Sequence, residues 1–154
     1  TTLFRSDVPD FRIFRPLLLR QQSLQVGSSW QKFLLDALLF PAAIRTVRRW
    51  RPDLLHAYLH EGGFLGHWLA RLFHLPLLMD VQGSLTAEML THRFLSPRSP
   101  LLASWQRLER WIDHQPALLF ASSTQMQRAL HDKFGLPGEK VRLLLDSVDP
   151  QQFR

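Results

Sequence analysis

Cysteine is absent from the 154 residues, so neither a disulfide nor a thiolate metal site can form. No apolar run is long enough to cross a bilayer. The longest, residues 33–44, is interrupted by Asp36 and Pro41 and falls short of the ~20 residues a spanning helix needs. No secretory signal pattern is visible. No G-x-G-x-x-G or Walker-type glycine loop occurs, which argues against a nucleotide hydrolase or a dinucleotide enzyme. A serine nucleophile is poorly supported, because there is no G-x-S-x-G elbow. Internal repeats and low-complexity segments are missing too. The chain also lacks an initiator methionine and opens on Thr1-Thr2-Leu3-Phe4-Arg5-Ser6. Those residues match the in-frame translation of a common short-read sequencing adapter. Residues 1–6 are therefore expected to be a cloning or assembly scar, and the chain a fragment.

What is present is an ordinary globular balance, 45% apolar and 21% charged. A chain of this length suits one domain that buries roughly 68–70% of its unfolded surface. Lys and Arg outnumber Asp and Glu by 19 to 13, for a net charge of +6. That sign favours anionic partners: phosphate-bearing ligands, acidic membrane or nucleic acid. Nucleic acid is the weakest of these, since the five Trp fall mostly at apolar helix positions and form no basic-aromatic stripe. Arg45, Arg48, Arg49 and Arg51 cluster at the end of one helical pattern. They read either as a solvated face favourable near a helix C-terminus or as a patch drawn to an anionic membrane, at about 1 kcal/mol per charge. Absence of Cys fits a reducing compartment, so the expected location is the cytoplasm, with peripheral contact at the inner face of the membrane under the second reading.

Apolar periodicity changes along the chain. Residues 11–15 alternate apolar and basic, a short strand closed by Pro16. From Ser28 or Ser29, a plausible N-cap, Trp30, Phe33, Leu34, Leu38, Ala42 and Val47 recur at helical spacing, with a kink expected at Pro41 and an end at Pro52. Continuous apolar runs at 54–59, 76–81, 117–121 and 141–145 read as buried strands. Between them the pattern predicts helices over about 64–74, 85–93, 101–113 and from Ser122 or Ser123 to 134, the last closed by Gly135 in a left-handed conformation. Such alternation predicts an α/β fold, a Rossmann-like parallel sheet with helices on both faces.

Right-handed crossovers bring the carboxyl ends of parallel strands to one rim, where ligands of such sheets bind. The residues predicted there are His60, Glu61, Gly62, Gln82, Gly83, Ser84, Ser122, Ser123, Asp146 and Ser147. His60-Glu61-Gly62 offers acid–base groups beside a glycine that admits close approach, or simply a helix entry with Glu61 at its positive end. Gln82-Gly83-Ser84-Leu85-Thr86 places an amide, hydroxyls and backbone N–H groups at a helix start, suited to an anion or sugar hydroxyls, or to capping alone. His56, His60 and His67 have no recognised metal-ligand spacing, so no metal is expected from them.

Several blocks in order resemble a known family: Arg51 to Gly62 (RPDLLHAYLHEG), Pro76 to Ser84, Leu108-Glu109-Arg110-Trp111, Ala121-Ser122-Ser123, and Lys140 to Pro150. Together they look like the N-terminal domain of family-4, GT-B-type glycosyltransferases. The resemblance implies the N-terminal, acceptor-side half of a GT-B fold, with a donor-binding domain following Phe153. It further implies sugar transfer with retention of configuration, no metal ion and no cofactor. The partners implied are a nucleotide-sugar donor, held mainly by the absent second domain, and a sugar or lipid-linked acceptor. His60 and Glu61 fall at a His-Glu position facing the interdomain cleft. Gln82 stands where many relatives place a His, and it cannot exchange a proton at neutral pH. Asp146-Ser147 replaces the frequent Asn-Gly. The family's first strand and Gly-rich turn have no counterpart ahead of residue 11. The chain is therefore expected to be truncated at its start, to expose the edge of strand 54–59 and to be inactive alone. A non-catalytic sugar- or anion-binding module, and a nucleotide-sugar epimerase of the same architecture, are the rival expectations.

Overall fold

The computed structural model describes residues 30–145. The chain divides into two compact units, Thr1–Trp50 and Arg51–Arg154. The strand expected at 11–15, the caps at Ser28 and Ser29, and the rim residues Asp146 and Ser147 lie outside the described residues.

In the first unit the described part is one helix, α1 (Trp30–Trp50), which continues through Pro41. The helix stops where Pro52 forbids continuation; Arg51 between them takes a positive φ of 45°.

The second unit is a four-stranded parallel sheet. Its strands are β1 (Leu55–Tyr58), β2 (Leu77–Val81), β3 (Leu118–Ala121) and β4 (Val141–Leu143). They lie side by side in sequence order. Leu55 pairs with Leu77, Leu78 with Leu118 and Leu119 with Val141. The connections are α2 (Leu59–Phe73), then α3 (Leu85–Thr91) and α4 (Leu102–His114), then α5 (Thr124–Asp132) with a 3-10 turn at Gly138–Lys140. This is the α/β, Rossmann-like parallel sheet that the alternating pattern predicts.

Burial alternates along each strand, and the alternation fixes where the core lies. Ala57, Leu77, Met79, Val81, Leu119, Ala121 and Val141 are buried and form one cluster with Ile112 of α4, Leu130 of α5 and Leu136. A sheet built by successive same-handed crossovers in one direction places its helices on one face. The packing of the second unit agrees: α2, α4 and α5 cover this face. The opposite face presents His56, Leu78, Asp80, Leu118, Phe120 and Arg142, each half-buried or exposed. There the His56 ring meets Phe120 edge-on, with centroids 5.8 Å apart.

One boundary differs from the sequence expectation in a way that matters for the site. The helix expected from about residue 64 begins at Leu59, so His60, Glu61 and Gly62 form its first turn. Gly62-Gly63 reads as a breaker, because glycine costs about 1 kcal/mol against alanine in a helix. Packing overrides that cost. A Cβ on Gly63 would lie 2.5 Å from Met79 Sδ and 3.0 Å from Ile112 Cγ2. A Cβ on Gly66 would lie 2.9 Å from Leu77 Cδ1. Glycine at these positions lets α2 lie close against β2. At the other end of the unit Gly135 takes a φ of 71°, the expected left-handed conformation after α5.

Candidate functional site

Parallel pairing in register brings the carboxyl ends of β1, β2 and β3 to one edge. Tyr58 stands beside Asp80, and Asp80 beside Phe120. The Ser122 amide reaches the Val81 carbonyl at 3.4 Å, so the third loop leaves its strand level with the second. The segments carrying Glu61 and Gly62, then Gln82, Gly83 and Ser84, then Ser122 and Ser123, therefore form one rim. Adjacent strands lie about 4.8 Å apart, so the three segments span about 10 Å. All seven of these residues are half-buried.

Several of these groups already have local partners. Ser84 Oγ accepts from the Ala87 amide at 3.2 Å, and Ser123 Oγ from the Met126 amide at 3.1 Å. Both serines therefore serve as N-caps, of α3 and α5. Gln82 Nε2 donates to Asp80 Oδ1 at 3.1 Å, which anchors its side chain to the end of β2. Gly83 leaves room for an acid from α3: a Cβ there would be 3.0 Å from Glu88 Oε1. Leu59, the residue that turns the chain from β1 into α2, takes a φ of 61°, a conformation that costs a leucine about 1–2 kcal/mol.

His60 is placed differently from its rim neighbours. It is 4% exposed and points between α2 and α4. Its Nε2 lies 3.3 Å from Asp113 Oδ1 and 3.9 Å from Glu109 Oε1. Glu109 and Asp113, each 1% exposed, sit four residues apart on the inner face of α4. Glu109 Oε2 accepts from the Thr86 amide at 3.1 Å and from the Thr86 hydroxyl. The buried acid thus ties α4 to the start of α3, directly behind the 82–84 loop, while its second oxygen faces His60. Burial alone would pull the His60 pKa down, yet Asp113, Glu109 and Glu61 outweigh it and hold the imidazole above the ordinary histidine value. Burial pushes the Asp113 carboxyl up, against the opposing pull of His60.

The three histidines weighed from the sequence as a metal set are separated by the fold. His56 meets Phe120 edge-on on the sheet face away from α2, and His67 meets Trp68 and Trp111 edge-on at centroid distances of 5.2 and 4.9 Å. His60 instead finds Glu109 and Asp113, and ligand atoms of this trio lie within 4.8 Å of one another. The sequence reading placed Thr86 at the helix start but missed its partner Glu109, and it missed Glu88 and Asp113 as parts of the site. A usable signal existed for two of them. Leu102, Trp105, Glu109, Ile112 and Asp113 follow one helical stripe, so both acids occupy positions where an inward-facing helix carries apolar residues.

A parallel sheet whose carboxyl rim gathers polar loops, with α2, α4 and α5 of the second unit on one face, defines a Rossmann-like α/β domain. The chain belongs to the family described as glycosyl transferase 4-like domain, whose model matches residues 3–145. Among solved structures it is similar to the UDP-N-acetylglucosamine 2-epimerase from Rickettsia bellii, with a TM-score of 0.49 and 17% identity. That likeness covers 71% of this chain and 26% of the epimerase chain, so the chain spans about a quarter of that protein. No curated protein sequence matches the chain.

Proposed function

We propose that the chain is the acceptor-side domain of a glycosyltransferase that moves a sugar from a nucleotide-activated donor to an acceptor with retention of configuration. Membership in the glycosyl transferase 4-like family over residues 3–145 carries this reading. In it, Glu61, Gly62, Gln82, Gly83, Ser84, Ser122 and Ser123 meet the reacting sugars. His60, buried one layer below, positions the first turn of α2. Gln82, fixed on Asp80, offers hydrogen bonds to a sugar without exchanging a proton. The acceptor is a sugar or a lipid-linked sugar, and the net positive charge favours a phosphorylated one. The donor diphosphate is held mainly by a second Rossmann-like domain, whose stabilisation of the leaving group supplies much of the rate. Sugar transfer itself proceeds without a metal ion.

The test compares this chain with the complete open reading frame from which it comes, using a panel of nucleotide-sugars and acceptors. The longer protein is expected to transfer sugar with the donor's anomeric configuration kept, read by NMR of the product, while residues 1–154 alone turn over none. Transfer by this chain alone overturns the two-domain part of the reading. Conversion of the donor sugar without any acceptor overturns transfer in favour of epimerisation. Ligand binding by a frame that ends soon after Arg154 and shows no turnover points to a binding module.

A further inference from the structure

Among the described residues, the cluster of His60, Glu109 and Asp113 combines ligand chemistry, burial and unsatisfied bonding. His60 Nε2, Glu109 Oε1 and both Asp113 carboxylate oxygens are buried with no hydrogen-bond partner. His60 Nε2 and Asp113 Oδ1 are close, at 3.3 Å, yet neither their contact nor any other bond saturates the group. Buried polar atoms are nearly always paired, so four orphans converging on one point call for a missing partner.

We propose that these three side chains bind one divalent transition ion of the zinc class, holding α2, α3 and α4 together behind the rim. Three observations support the assignment. The first is distance. Zinc bonds of about 2.0–2.1 Å to nitrogen and carboxylate oxygen place neighbouring ligand atoms about 3.3 Å apart in a tetrahedron. His60 Nε2 stands 3.3 Å from Asp113 Oδ1 and 3.9 Å from Glu109 Oε1, and all three ligand atoms lie within 4.8 Å of one another, so closing the site draws the two carboxylates in on the ion. The second is charge. Two ionised carboxylates around a neutral imidazole would carry −2, which one divalent ion cancels. The third is preorganisation. Thr86 holds Glu109 Oε2 from the amide and the hydroxyl, fixing the carboxylate so that Oε1 faces the histidine. Outer partners of this kind orient metal ligands.

One imidazole with two carboxylates selects zinc, cobalt or manganese over calcium, which takes six to eight oxygens. A water completes the fourth position. The ion is structural, because its ligands are buried and come from α2 and α4 below the rim. The proposed sugar transfer does not pass through it.

The experiment uses the whole 154-residue chain, stripped with a chelator and titrated with zinc alone. One ion per chain is expected by native mass spectrometry. The thermal midpoint should rise by about 5–10 °C with free zinc a hundredfold above the dissociation constant. Cobalt in place of zinc should give the intense visible absorption of a tetrahedral site. His60→Gln and Asp113→Asn should each abolish the shift and the stoichiometric ion. His131→Gln, which removes the exposed pair with Asp132, should keep both. Should either cluster variant fail to fold, the wild-type cobalt spectrum decides between a tetrahedral nitrogen–oxygen site and surface binding. A folded, chelated wild-type chain that takes up no ion overturns the proposal. So does zinc binding that survives in both cluster variants, or a cobalt spectrum of the weak octahedral type.

Discussion

Gly62 and Gly63 are neighbours in the first turns of α2, yet replacing each with alanine should move stability in opposite directions. Both substitutions remove backbone freedom from the unfolded chain and improve helix propensity, a gain of about 0.5–1 kcal/mol each. At Gly62 the added methyl meets only Ala57, at 3.7 Å or beyond, so the gain stands. At Gly63 it would sit 2.5 Å from Met79 Sδ, 3.0 Å from Ile112 Cγ2 and 3.1 Å from Met79 Cε. A methionine tip can ordinarily swing aside, but Met79 is fully buried in the centre of the sheet, and the Ile112 branch is stiff. Overpacking of this kind costs about 1–3 kcal/mol. The net expectation is a gain below about 1 kcal/mol for Gly62→Ala and a loss of about 1–2 kcal/mol for Gly63→Ala. For a chain this long each kcal/mol moves the midpoint by about 2–4 °C. Thermal and urea unfolding of the two variants, compared with the parent, measure the difference; the common propensity gain cancels between them. Equal stabilisation by both substitutions would refute the close approach of α2 to β2 and α4, and with it the reason the helix can start at Leu59.

Three further outcomes follow from particular contacts. Glu109→Ala leaves the Thr86 amide and hydroxyl without their acceptor and should cost about 3 kcal/mol or more, while Thr86→Val costs about 1 kcal/mol. A double-mutant cycle showing these losses to be additive would contradict the coupling. Ser123→Ala removes the cap of α5 and should lower stability by about 1 kcal/mol; unchanged stability with weakened ligand binding would instead assign the hydroxyl to the ligand. Hydrogen exchange should be slow at Leu55, whose amide donates to the Pro76 carbonyl at 2.9 Å, and at Ala57. It should be fast at His56, whose amide faces away from β2 on the edge of β1 that no strand among the described residues covers. Equal protection at His56 would mean that another strand covers that edge.

The parallel sheet and its common carboxyl rim were legible in the sequence, because apolar runs alternating with helical spacing call for crossover connections. The runs at 54–59, 76–81, 117–121 and 141–145 became β1 to β4 with boundaries trimmed by one or two residues at most ends. Local pattern failed where long-range packing decided the outcome. Gly62-Gly63 reads as a break until Met79 and Ile112 are known to press against it, and no rule of local spacing brings residues so distant in sequence together. The same holds for His60. Its neighbours in sequence suggested a group facing a ligand, but α4 supplies two acids that draw it inward. Glu109 and Asp113 escaped notice because a charged residue on an apolar stripe is informative only once its partner is known.

The sequential order of the strands also has a kinetic meaning. Each strand pairs with the next one made, so the sheet can be extended from one end as the chain emerges, without waiting for a distant segment. The pairings are not equally easy to close. β1 to β2 and β3 to β4 are each bridged by a short helical connection, whereas β2 to β3 must span α3, the turns after it and α4. Loop closure costs more as the connecting segment lengthens. Joining β2 to β3 is accordingly the entropically dearest step, and it is completed when Glu109 reaches Thr86 and α4 docks against α2. The buried polar cluster thus works as a latch on the longest connection between these strands, tying it down once the third strand has arrived.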